Sequence, residues 1–361
     1  MEYKHLGDYI REVNVRNRDL KVTNLQGVSI SKEFMPSIAN TIGTDMSTYK
    51  IVERRQFAYG PVTSRNGDKV SIALLDGYEN AIISQAYTVF EVVDHEQLLP
   101  EYLMMWIRRP EFDRYARFHS HGSAREIFDW DELCDVMLPI PSITRQREIV
   151  LEYETLTNRI RLNNHMIQNL EATAQALYRK AFVDNIDKEN LPEGWRMGTL
   201  GEVATFKYGK LAEKHVRSKE YPYPVFSGYA VTGYTDEYTL KEPTIVIIAR
   251  GDAGTGRICM SPKECFLSNL AIAIETKDVL IKDYLYYHLQ DSDTMSLRSG
   301  SAQAQITINN VEPFEIMIPL KDVYVDFSQK VETLYNTILI YSQENSKLTE
   351  LQSLLLAKMG Q

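Results

Sequence analysis

The chain has 361 residues and a formal charge of −9, which suits two hydrophobic cores better than one. The charge argues against a uniformly basic nucleic-acid binder and leaves room for local basic stripes. No apolar run approaches the roughly 18–20 residues that span a bilayer, the start lacks a basic-then-apolar signal segment, and Cys134, Cys259 and Cys265 lack the spacing of a disulfide framework or zinc site, so a cytoplasmic protein with no membrane segment is expected.

Residues 1–141 read as a mixed α/β globule with many short strands. Asn66-Gly67 and Asp76-Gly77 mark tight turns around the strand Lys69–Leu75, and Ala86–Val93 is a second strand. Tyr102–Arg109 reads as a helix stopped by Pro110. Residues 142–183 form a long helix. Its apolar stripe runs Tyr153, Leu156, Ile160, Asn163, Ile167, Leu170, Ala174, Leu177 and Ala181, in alternating steps of three and four, the seam of a coiled coil. The turn-rich Leu191-Pro192-Glu193-Gly194-Trp195 links it to a second globule within 184–320, where Thr244–Ala249 and Leu270–Ile274 are strands. Residues 321–361 form a second long helix, with the stripe Phe327, Val331, Leu334, Ile338, Tyr341, Asn345, Leu348, Gln352, Leu355 and Met359.

The two halves repeat one another at a constant offset of 178 residues, from Gly122-Ser123-Ala124 against Gly300-Ser301-Ala302 to Lys180 against Lys358. A repeat of this length means duplicated domains, since solenoids use periods of roughly 20–50 residues. Side-chain sizes favour antiparallel helices. Aligned that way, Ala181 meets Phe327, Ala174 meets Leu334, and Asn163 meets Asn345 in one shared polar layer that sets register. Gln352 then faces Leu156 without a polar partner. The fold expected is α/β (α+β): two mixed domains, a long antiparallel two-helix coiled coil, and a pseudo-two-fold repeat.

Catalytic motifs are scarce. Gly251-Asp252-Ala253-Gly254-Thr255-Gly256-Arg257-Ile258 has the glycine spacing of a phosphate-binding loop. Arg257 and Ile258 stand where that loop needs Lys and Ser/Thr, and Pro262 discourages the helix that should follow. A hairpin is the better reading. What remains is basic and polar chemistry on both globules. The first carries Arg54, Arg55, Tyr59, Arg65, Asn66 and Lys69, and a dense stretch of Arg108, Arg109, Arg114, Arg117, His119, His121 and Arg125. The second carries Lys207, Tyr208, Lys210, Lys214, His215, Arg217, Lys219, Arg250, Arg257, Gln303 and Gln305. Such groups suit phosphate neutralisation and base-edge reading. A scaffold whose coil carries two protein-binding globules is the competing interpretation.

In this order, four passages resemble a known family. They are Phe57-Ala58-Tyr59-Gly60-Pro61 with Arg65-Asn66-Gly67; Ser84 to Phe90; Leu138-Pro139-Ile140-Pro141 running into Gln146-Arg147-Glu148-Ile149; and Leu191 to Trp195 leading to Leu200-Gly201-Glu202-Val203. Together with the duplicated helices they are similar to the specificity (S) subunits of type I restriction–modification systems. The resemblance implies two target-recognition domains reading the halves of an asymmetric bipartite site in double-stranded DNA, with a helical rod that docks modification (methyltransferase) subunits. It also implies restriction (ATP-dependent translocase and nuclease) subunits as further partners. The chain itself would be non-catalytic, prokaryotic and nucleoid-associated, with S-adenosylmethionine, ATP and Mg on the partner subunits.

Overall fold

The computed structural model describes residues 3–38, 43–64, 66–67, 69–122, 125–184, 186–212, 220–251, 254–299 and 305–360. The chain divides into two compact units, Met1–Asn163 with Gln343–Gln361 and Asn164–Ser342. Both cuts pass through long helices, Ile143–Phe182 and Lys321–Lys358, so each unit combines a globule with part of each helix.

The first unit is built on a four-stranded antiparallel sheet in the order Ile10–Val13, Thr88–Val92, Phe57–Gly60, Ser71–Leu74. Side chains alternate across a strand, and here both faces are covered. Phe57, Tyr59, Ile72 and Phe90 face one core, while Ala58, Ala73 and Val89 face another. Phe57 and Phe90 stack with ring centroids 4.7 Å apart. The helix Pro100–Ile107 packs into the larger core through Tyr102, Leu103 and Trp106. Pro110 does more than stop it. It opens a second helix, Pro110–Phe118, from the first turn, where its missing N–H costs no hydrogen bond.

The second unit repeats this sheet as Ala204–Tyr208, Ala271–Thr276, Ile245–Ile248, Ile258–Met260. Ile245, Ile247, Ile272 and Ile274 face its larger core, and Val246, Ala271 and Ala273 the smaller. The duplication extends to single hydrogen bonds. In the first unit the buried Tyr102 hydroxyl donates to the Pro139 carbonyl at 3.0 Å. In the second, Tyr284 donates to the carbonyl of Met317, the repeat position of Pro139. Each bond ties the short helix to the strand that leads into a long one.

Every seam position of both long helices is buried or half-buried, and within each unit the helices run antiparallel. In the first unit Asn163, 2% exposed, donates to Asn345 Oδ1 and to Glu344 Oε2, both at 3.0 Å. Arg159 clamps the same Glu344 at 2.8 and 3.1 Å, which holds that carboxyl below its ordinary range. Gln352 has a polar partner after all, the Thr157 hydroxyl at 2.7 Å, next to the Leu156 it was expected to face. In the second unit Phe327 lies edge-on to Phe182 and Tyr178 at 5.3 and 6.3 Å.

Tyr178 also holds a titratable neighbour. Its hydroxyl lies 3.0 Å from His288 Nδ1, and burial, with Lys188 adding repulsion, pushes the imidazole down from 6.5 to about 4. A histidine held neutral in the fold binds fewer protons than the unfolded chain, so its contribution is present above about pH 6.5 and is lost as pH falls towards 4. Over that window the second unit is expected to lose up to about 3 kcal/mol through this group. Thermal unfolding of His288→Gln at pH 7 and 4.5 should show a smaller acid penalty than the parent.

Candidate nucleic-acid interface

In both units the central strand leads into a hairpin that packs against a second, bridged loop. In the first, Phe57–Gly60 runs into residues 61–70 before Ser71–Leu74. The neighbouring loop is closed by a two-residue bridge, His121 N–H to Ile127 O at 3.0 Å and Ile127 N–H to His121 O at 2.9 Å. The second unit closes its loop at the repeat positions, with Ser299 and Gln305 exchanging bonds of 2.9 and 3.0 Å. The next residue in each case, Phe128 or Ile306, donates at 2.9 Å to the carbonyl ending the central strand, Pro61 or Ala249. The 178-residue repeat around Gly-Ser-Ala thus marks a loop held the same way in both units.

Gly122 explains the glycine in that motif. It has φ +132°, and an added Cβ would lie 2.2 Å from the Arg125 carbonyl oxygen. Gly122→Ala is expected to cost about 1–3 kcal/mol and to release Arg125 from its place; proteolytic nicking at residues 121–127 should accelerate relative to the parent. Ser123, Ala124 and Gly300 to Ala302 lie outside the described residues.

The candidate side chains separate into three groups. In the first group are exposed cations at one end of each sheet. Lys69 leads into Ser71–Leu74, and Arg125 comes from the bridged loop, whose Glu126 carbonyl accepts the Thr63 N–H at 3.0 Å. Lys210 follows Ala204–Tyr208, while Arg250 and Arg257 flank the glycine-rich hairpin. The Lys210, Arg250 and Gly209 N–H groups all reach residues 267–271, so their loops adjoin. Among the described residues none of these five cations makes an ion pair. Tyr208 joins them, half exposed, its hydroxyl accepting the Ile308 N–H at 3.1 Å beside the exposed Gln305.

The second group is already engaged. Arg54 pairs with Glu79 at 2.8 Å and Arg55 with Glu101 at 3.0 Å; both precede Phe57–Gly60, at the opposite end of the sheet from Lys69. His119 pairs with Glu132 at 2.8 Å and Lys207 with Glu275 at 2.7 Å. Asn66 spends its amide on the Val62 carbonyl and the Ser71 hydroxyl, at 3.1 and 3.2 Å. The dense basic stretch is mostly spoken for too: Arg109 is 8% exposed and lies 4.1 Å over the Trp106 ring, Arg114 pairs with Glu111, and Arg117 with Glu126.

The third group leaves the surface. Tyr59 is fully buried, burial raises its hydroxyl far above its ordinary value, and among the described residues that hydroxyl reaches the Asp129 carbonyl at 3.3 Å. It is a core residue and cannot touch a ligand. Arg65, Gln303, Lys214, His215, Arg217 and Lys219 lie outside the described residues. Two residues not singled out from the sequence anchor the first hairpin: Asp113, which accepts the Val70 N–H at 3.2 Å, and Lys32, which pairs with Asp113 at 2.8 Å. They are remote in sequence from each other and from the loop, so no local pattern marks them.

The glycine-rich segment is a hairpin between Ile245–Ile248 and Ile258–Met260. Its Thr255 carbonyl accepts Arg298 Nε at 2.8 Å, and its Gly256 carbonyl accepts the Thr294 hydroxyl at 2.6 Å. Among the described residues no helix is long and apolar enough to cross a membrane.

Residues 192–350 match the family model of the type I restriction modification DNA specificity domain. Over 98% of its length the chain is 21% identical to the type I restriction enzyme HindI specificity subunit of Haemophilus influenzae, covering 97% of that protein. The crystal structure of the S subunit of a type I restriction–modification system from M. genitalium shares its fold, with a TM-score of 0.64 at 17% identity over 100% of this chain and 96% of that one.

Proposed function

We propose that the chain, which is similar to the specificity subunits of type I restriction–modification systems, reads DNA through its two units, each taking one half of an asymmetric, bipartite site. The observation that carries this reading is the repeated construction of the sheet ends. Each unit presents a hairpin and a bridged loop at one end of its sheet, with exposed cations that make no ion pair among the described residues. Unpaired cations neutralise phosphates, and the polar side chains between them read base edges. The loop sequences differ, with Asn66 and Lys69 in one unit and Arg250 and Arg257 in the other, so the two half-sites differ as well.

Methylation and cleavage belong to partners in this reading. The chain is non-catalytic; modification subunits dock on the repeated helical surfaces and bring S-adenosylmethionine, while restriction subunits bring ATP and Mg²⁺. The protein then works in the prokaryotic cytoplasm on nucleoid DNA. Binding of the chain assembled with its modification subunits to a cognate duplex, measured against salt, tests the reading. Affinity should fall linearly on a log–log plot as condensed counterions are released. Salt-independent or absent DNA binding would favour a coiled-coil scaffold with two protein-binding globules.

A further inference from the structure

We propose that Phe118 reads a thymine: its ring packs on the C5-methyl group of one thymine in the half-site that the first unit recognises. The inference rests on the DNA-reading function above and adds one base-specific contact to it. Phe118 ends the helix Pro110–Phe118 and is 81% exposed. The helix turns Phe112 and Ala116 into the core, and Phe118 points away from that face, so the fold gains little from an aromatic ring there.

Its position is set by its neighbours. Arg117, one residue before, is ion-paired to Glu126 of the bridged loop. Ser120, two residues after, accepts the Thr63 hydroxyl of the hairpin at 2.9 Å. The His119 ring between them meets Phe118 edge-on, with centroids 5.1 Å apart. Phe118 therefore projects where the two loops meet, flanked by the loops that carry Lys69 and Arg125. Cations placed to grip phosphates around an exposed aromatic ring suit the major groove, where an apolar side chain distinguishes thymine by its methyl group. An apolar protein partner would find little complementarity in that charge.

The test uses the complex of this chain with its modification subunits and its methylated sequence. Each thymine of the first unit's half-site is replaced in turn by deoxyuridine, which removes only the methyl. One replacement should weaken binding roughly fourfold, the value of one buried methyl-sized group. Phe118→Ala should bind the thymine duplex weaker by a similar factor, respond to uracil at that position not at all, and keep the parent's salt dependence and melting temperature. A half-site without thymine would overturn the proposal. So would a Phe118→Ala complex that binds as the parent does, or one that remains as sensitive to uracil. Loss of affinity for every duplex with a changed salt slope would mean a structural role and would equally overturn it. A parent complex that binds no DNA would take down the DNA-reading function itself, a different failure.

Discussion

Replacing Arg250 and Arg257 together by alanine is expected to weaken DNA binding by the assembled complex on the order of 100-fold at physiological salt. Both guanidinium groups are exposed, flank one hairpin and make no ion pair among the described residues. Each phosphate contact removed should lower the slope of log affinity against log salt by about one. The double variant should therefore lose about two units of slope, and Arg250→Glu with Arg257→Glu should weaken binding further by repulsion. Arg54→Ala provides the contrast. That side chain is paired with Glu79 at 2.8 Å, at the other end of its sheet, and its loss should leave the slope unchanged. Equal effects from the two substitutions would contradict the assignment of the sheet ends.

The second large effect is on stability. Asp113→Ala is expected to destabilise the first unit by about 3–5 kcal/mol, because it strands a buried charge. Lys32 is 5% exposed, its ammonium lies 2.8 Å from Asp113, and its one other polar contact shown is the Ile107 carbonyl at 2.6 Å. Burial already lowers its pKa, and Asp113 opposes that. Without the carboxylate the folded state binds a proton at Lys32 less readily than the unfolded chain. The deficit should accordingly shrink as pH rises towards 10.5, the ordinary lysine value, above which the ammonium is lost in both states. A Lys32→Met, Asp113→Ala double variant should recover much of the loss, since an apolar replacement of a buried ion pair is often neutral or better. Chemical denaturation at pH 7 and 10 measures both. The same change removes the acceptor for Val70 N–H, so hairpin-dependent DNA binding should fall with it.

Much of this was legible in the sequence because it is periodic or repeated. Heptads constrain which faces meet, and size matching across the seam placed Asn163 against Asn345. The 178-residue offset pointed to the bridged loops, although only the backbone shows that the repeated Gly-Ser-Ala lies between paired residues. The candidate interface was legible in part. Composition and turns indicated which cations belong to loops, but a strand's direction decides which end of the sheet a loop occupies, and that separates Arg54 and Arg55 from Lys69. Pairing is equally hidden, since the carboxylates that engage Arg54, Arg55 and Lys207 come from Glu79, Glu101 and Glu275, far along the chain. Tyr59, a candidate DNA contact from the sequence, is placed by strand alternation with Phe57 in the larger core.

Two different units should direct one modification activity to one two-part sequence. Methylome sequencing of a host that expresses the modification subunit, with and without this gene, tests it most directly. A single asymmetric bipartite motif, methylated at adenine in each half, should be present with the gene and lost without it. A methylome that does not change on deletion would contradict it.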